Sequence, residues 1–126
     1  MTEKSKKIRP PLFKVPLFNN ADIVLLRDRD EACQYLSGIG LNFNLSGYDG
    51  FAYSHIVDGE LPLLIVGVLK HRHDVLAHEL CHVAFEICNL VGVPTPNDEM
   101  NETFCYLVQR LMQQMVPFID DPKKVK

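Results

Sequence analysis

The chain has 126 residues and a mass of 14.4 kDa, room for a single domain and no second catalytic unit. With 47% hydrophobic and 23% charged residues its composition is that of a folded globular chain and not of a disordered one. A net charge of -3 and a pI near 5.9 lack the basic footprint of a protein that neutralises many phosphates, which sets nucleic acid aside as a partner.

Residues 1–11 carry four Lys or Arg side chains with Pro10 and Pro11 and no apolar periodicity, the pattern of a basic flexible tail. The following LFKVPLF is broken by lysine and proline and offers no small-residue cleavage site, so no signal peptide is expected and the predicted location is cytoplasmic. Residues 12–118 form the predicted domain, and 119–126 a charged C-terminal tail. ADIVLL, from Ala21, is short, apolar and β-branched and reads as a strand. RDRDEACQYLSGIG, with acids early and glycines late, reads as a short helix. Asn42 to Gly50 is a predicted loop, after which FAYSHIV and LPLLIVGVL are strands joined by the turn signal DGE and expected to pair antiparallel. The longest apolar run, Leu61 to Leu69, is too short to span a bilayer, and no membrane partner is expected.

After Lys70 the apolar period changes. Leu76, Leu80, Val83, Ile87 and Leu90 make one stripe of a helix that Gly92 and Pro94 terminate. TPND then offers N-caps for a second long helix, whose apolar residues from Phe104 to Met115 are expected to stop at Pro117. The predicted fold is α+β: a small mixed or antiparallel sheet of about three strands, packed on these two helices, with one further helix. The four cysteines include no CxxC pair, and reduced thiols are the expectation.

The first long helix contains His78-Glu79-Leu80-Cys81-His82, an HExxH sequence. The i, i+4 spacing puts both imidazoles on one face, half of a zinc site built on one rigid element. Glu79 stands about 100° around the helix, from where its carboxylate can take a proton from an attacking water without ligating the ion. Glu102, twenty residues after His82 on the next helix, is the candidate third ligand, since a helical hairpin can return it to the histidines. Glu99 is its rival one turn earlier, although Glu99 and Asp98 also suit a helix N-terminus. Asp74 can orient His78 or cap the helix. His55 is either an electrophilic donor or a solvent-facing strand residue, and His71 and His73 are expected to be exposed.

HELCH followed, nineteen residues later, by Asn101-Glu102 resembles the gluzincin arrangement of thermolysin-type zinc metallopeptidases. The resemblance covers Val75 to about Leu111. It implies zinc as cofactor, His78, His82 and Glu102 as ligands, and Glu79 as general base. The small scale and ETFCYL on the last helix also resemble zincin-like proteins encoded by phages and prophages, a likeness that informs architecture more than activity. Two departures stand out. The acid that thermolysin-like enzymes carry four residues after the glutamate ligand is here Tyr106, and no histidine follows His82. Tyr106 can hydrogen-bond a transition-state oxygen or simply pack between helices. The expected reaction is hydrolysis of a peptide or amide bond in a peptide or protein partner. Its rivals are a zinc-stabilised interaction protein and a metal-free helical module.

Overall fold

The two most apolar runs of the chain lie side by side at the centre of a four-stranded sheet, and their sequences explain why. The computed structural model describes residues 10–93 and 102–125. Its elements are β1 (Leu12–Lys14), β2 (Asp22–Leu26), α1 (Arg29–Gly38), β3 (Gly50–His55), β4 (Leu63–Val68), α2 (His73–Val91) and α3 (Glu102–Asp120). The strand order is β1-β2-β4-β3. β2 and β4 run parallel, with Val24 opposite Ile65, while β1 and β3 pair antiparallel on the outside. Strands covered on both faces are continuously apolar, and β2 and β4 bury nearly every residue.

The period of two along these strands divides the core. Ile23, Leu25, Leu64, Val66 and Val68 face α2 and α3 and meet Leu76, Leu80, Val83, Ile87, Leu107, Leu111 and Met115. Val24, Leu26 and Ile65 face the other way, against Ala32 and Leu36 of α1 and Leu45 of the following segment. The molecule is therefore α+β, with a mixed sheet between α1 on one side and the α2–α3 pair on the other. No helix among the described residues is long and apolar enough to cross a membrane.

Most predicted elements stand where the sequence places them. Asp28 caps α1 by accepting from the Glu31 amide at 2.8 Å, and the Glu31 carboxylate accepts from the Arg27 amide at 2.9 Å, a near relative of the capping box. Gly92 ends α2 in the left-handed region at φ 78°, a conformation that costs glycine little. β3 and β4 pair antiparallel around a turn in which the Glu60 amide donates to the Val57 carbonyl. The predicted caps in residues 95–98, and Glu99, lie outside the described residues.

Two differences have physical reasons. β1 has no counterpart in the sequence reading because three residues between prolines show no usable period. It forms by tertiary pairing, with Phe13 buried and Lys14 reaching Asp22 at 2.8 Å, and its shortness and lysine suit a sheet edge. The last helix does not stop at Pro117 but continues to Asp120. Proline there removes one helical hydrogen bond, yet the extra turn buries Phe118 and Ile119. The guanidinium of buried Arg27 also donates to the carbonyls of Phe118 (3.2 Å), Asp121 (3.4 Å) and Lys124 (2.8 Å).

Arg27 thus closes the C-terminus of α3 from the end of β2, where a cation also suits the helix dipole. Burial lowers its pKa, and Glu31, Asp121 and Asp28 oppose that shift. Arg27→Met is expected to destabilise the fold by about 2–4 kcal/mol, because it strips hydrogen bonds to a charged group from three carbonyls, of which that of Phe118 is buried. Urea unfolding measures the loss, and an unchanged midpoint would show that the carbonyls find water instead.

Candidate metal centre

α2 carries the sheet-facing stripe Leu76, Leu80, Val83 and Ile87 on one side, which leaves His78 and His82 on an adjacent face, exposed. Their rings lie 5.1 Å apart between centroids at an interplanar angle of 75°. Glu79, between the two faces, is 7% exposed. One donor atom each from His78, Glu79 and His82 all fall within 4.8 Å of one another. Two imidazoles and a carboxylate so placed could hold a metal ion.

The neighbouring strand explains how Glu79 is held. β3 is the last strand of the sheet, with no strand on its outer edge among the described residues. Its residues facing α2 are Gly50, Ala52 and Ser54, all small, whereas Phe51 and Tyr53 turn to the opposite side, where Phe51 packs on the α1 cluster and Tyr53 on Phe43. A Cβ on Gly50 would meet the Glu79 Oε2 at 3.0 Å, the Gly67 carbonyl at 2.8 Å and Val75 at 3.0 Å. The carboxylate rests in the space that glycine leaves open. Burial raises the Glu79 pKa, and the His78 and His82 charges partly oppose it. Gly50→Ala is expected to cost about 1–3 kcal/mol by overpacking and to displace Glu79. Thermal unfolding reads the first effect, and a wild-type midpoint would mean the seam opens freely.

Between α2 and β3 runs a cleft of about 740 Å³, with His78, Glu79 and His82 toward one end and Phe85, Glu86 and Asn89 toward the other. Tyr48 lines this cleft and also a smaller one beside His78, Glu79, Arg72 and Asp74.

The other residues singled out from sequence are placed as follows. Glu102 is exposed at the start of α3 and is not part of the His78, Glu79, His82 group. α2 and α3 pack antiparallel, with Phe85 against Phe104 at 4.7 Å between ring centroids and His73 against Asp120 at 2.7 Å. The Phe85–Phe104 contact places the start of α3 beside the later turns of α2, beyond His82. Tyr106 is exposed on α3 and absent from the described lining of the cleft. Asp74 accepts from the Arg72 Nε at 3.0 Å and a terminal nitrogen at 2.6 Å, which lowers its pKa, and makes no contact that would orient His78. His71 bonds the Arg27 carbonyl, and His55 lies half-buried in β3. Of the four free thiols only Cys88 is buried, and burial raises its pKa.

Sequence reasoning passed over Tyr48, Gly50 and Glu86. Glu86 had a signal, since it follows His82 by four residues on the same face. Gly50 and Tyr48 had none, because their importance comes from contacts with a helix far along the chain. No family model, curated protein or solved structure matches the chain.

Proposed function

We propose that the protein is a zinc-dependent hydrolase of peptide or amide bonds. The observation that carries the proposal is the convergence of His78, Glu79 and His82 on a cleft bordered by β3, which has no further strand on its outer edge among the described residues. It agrees with the gluzincin resemblance of HELCH and Asn101-Glu102 and with the likeness to small phage-encoded zincin-like proteins; the proposed location is the cytoplasm, that of a host if the chain is phage-encoded.

In this reading His78, His82 and Glu102 hold the ion. Glu102 opens α3 beside the later turns of α2, and to serve as the third ligand its carboxylate would have to swing toward the exposed imidazoles. Bound zinc supplies a Lewis acid that polarises the scissile carbonyl and lowers the pKa of water. An extended substrate adds to the outer edge of β3 by backbone hydrogen bonds and so lays its carbonyl across the face of α2. Glu79 accepts the proton of the attacking water and returns it to the leaving amine. Burial raises its pKa and so makes it a stronger base than an ordinary carboxylate. Tyr48, which shares two clefts with His78 and Glu79, is placed better than Tyr106 to donate to the developing oxyanion.

The test is incubation of zinc-loaded protein with a mixture of unstructured peptides, with new N-termini read by mass spectrometry. Cleavage that Glu79→Gln removes at unchanged zinc content supports the proposal. Equal cleavage by both proteins, or none by either, sinks it. Retained zinc with no cleavage favours the second reading, a zinc-binding protein that works by holding a partner.

A further inference from the structure

Glu79, His78 and His82 occupy one side of β3, but the strand has a second side that the chemistry leaves unused. There, a pocket of about 470 Å³ lies between β3 and the segment that precedes it. Asn42, Phe43, Asn44 and Leu45 form one wall, and Tyr48, Phe51 and Tyr53 the other. No charged side chain lines it among the described residues. Phe43 and Tyr53 stack edge to face at 4.9 Å between centroids, and the Asn44 carboxamide accepts from the Ser46 amide at 3.0 Å, so the wall is a built turn. Tyr48, Phe51, Ala52 and Tyr53 line both this pocket and the metal cleft. The two spaces are therefore the two flanks of one strand edge.

That continuity determines what an occupant meets. Successive side chains of an added strand point to opposite faces, and each lies on the face of the residue it pairs with. Side chains opposite Gly50, Ala52 or Ser54 enter the metal cleft, whose far end holds the carboxylate of Glu86. Side chains opposite Phe51 or Tyr53 enter the uncharged pocket of aromatic rings and carboxamides.

We infer that this pocket is a specificity site, and that the substrate is an extended peptide read on both faces of β3. It bears an uncharged aromatic or amide side chain toward Asn42 and Phe43, and a lysine or arginine, at a position of opposite parity, toward Glu86. The inference rests on the reading of the α2–β3 cleft as a peptide site and adds to it which side chains the peptide carries. The charge of Glu86 favours the basic residue, while burial of a charged group in the second pocket would go uncompensated.

The experiment separates the two readings because it measures binding in a protein that cannot turn over. Zinc-loaded Glu79→Gln protein is offered a random hexapeptide library, and retained sequences are read by mass spectrometry. The same selection is run with Asn42→Glu and with Glu86→Lys added, after zinc content is checked. Glu86→Lys is expected to exchange a Lys or Arg preference for Asp or Glu at one position. Asn42→Glu is expected to bring in Lys or Arg at another. Each change should be at least about tenfold, the equivalent of about 1.4 kcal/mol, and the two positions should be an odd number of residues apart. An even spacing, an unchanged profile or no retained sequence overturns the inference. If the parity holds but wild-type protein does not cut the selected peptides, the pocket assignment stands and the hydrolase reading falls.

Discussion

Replacing Glu79 by glutamine is expected to lower peptide hydrolysis by about 10²–10⁴-fold, the usual contribution of a positioned general base, without loss of zinc. Glutamine keeps the shape that fits over Gly50 but cannot take a proton. The same variant should change the stability of the metal-free protein in the opposite sense. Burial raises the Glu79 pKa above its ordinary value of 4.5, so the folded metal-free state holds the proton more tightly than the unfolded chain. Stability contributed by the protonated form is then complete below the unfolded value and is lost as pH rises toward the folded one. At neutral pH the buried carboxylate is a liability that glutamine lacks. Metal-free Glu79→Gln should therefore melt above metal-free wild type at pH 7, with the gap closing as the pH falls through the folded value and gone below about 4. A variant that melts lower at both pH values would show that the carboxylate is held by compensating contacts and is not strained by burial.

His82→Ala is expected to weaken zinc binding more than about a hundredfold, since even outer partners of metal ligands are worth about 10–100-fold. Elemental analysis of dialysed protein should find about one zinc per wild-type chain and almost none in the variant. A linked measurement checks this without any assay of activity. Zinc at about a hundred times its dissociation constant stabilises the fold by about 2.7 kcal/mol, so added zinc should raise the wild-type melting temperature and leave that of His82→Ala unmoved. His78→Ala should behave alike, and Glu102→Ala should join them if α3 completes the site. Normal zinc in Glu102→Ala would place the third ligand elsewhere, and Glu86, one turn beyond His82 in the same cleft, would be the first carboxylate to replace.

The central strands, the two long helices and the HExxH face could all be read from local order, because each is set by a period or a cap within a few residues. Alternation and apolar runs mark β2 and β4, a stripe spaced four and three marks α2, and the i, i+4 histidines follow from that helix. β1 escaped because its three residues hold too little pattern and its stability comes from Ile23 and Val24 across the sheet. The overrun past Pro117 escaped because the compensating Arg27 lies 91 residues earlier in the chain.

The candidate site divides along the same line. The identities of His78, Glu79 and His82, and their common helix, were determined by the sequence alone, since helical geometry makes neighbours of residues four apart. Which strand borders them, that it is an edge, and that Gly50 leaves room for the Glu79 carboxylate were decided by the tertiary structure. So was the placement of Glu102 outside the His78, Glu79 and His82 group. Those relations join residues tens of positions apart through the strand order β1-β2-β4-β3, and no local period carries them. The physical reason is that hydrogen bonding and side-chain direction within a helix act over one turn, whereas the packing that makes a cleft depends on which surfaces are buried together.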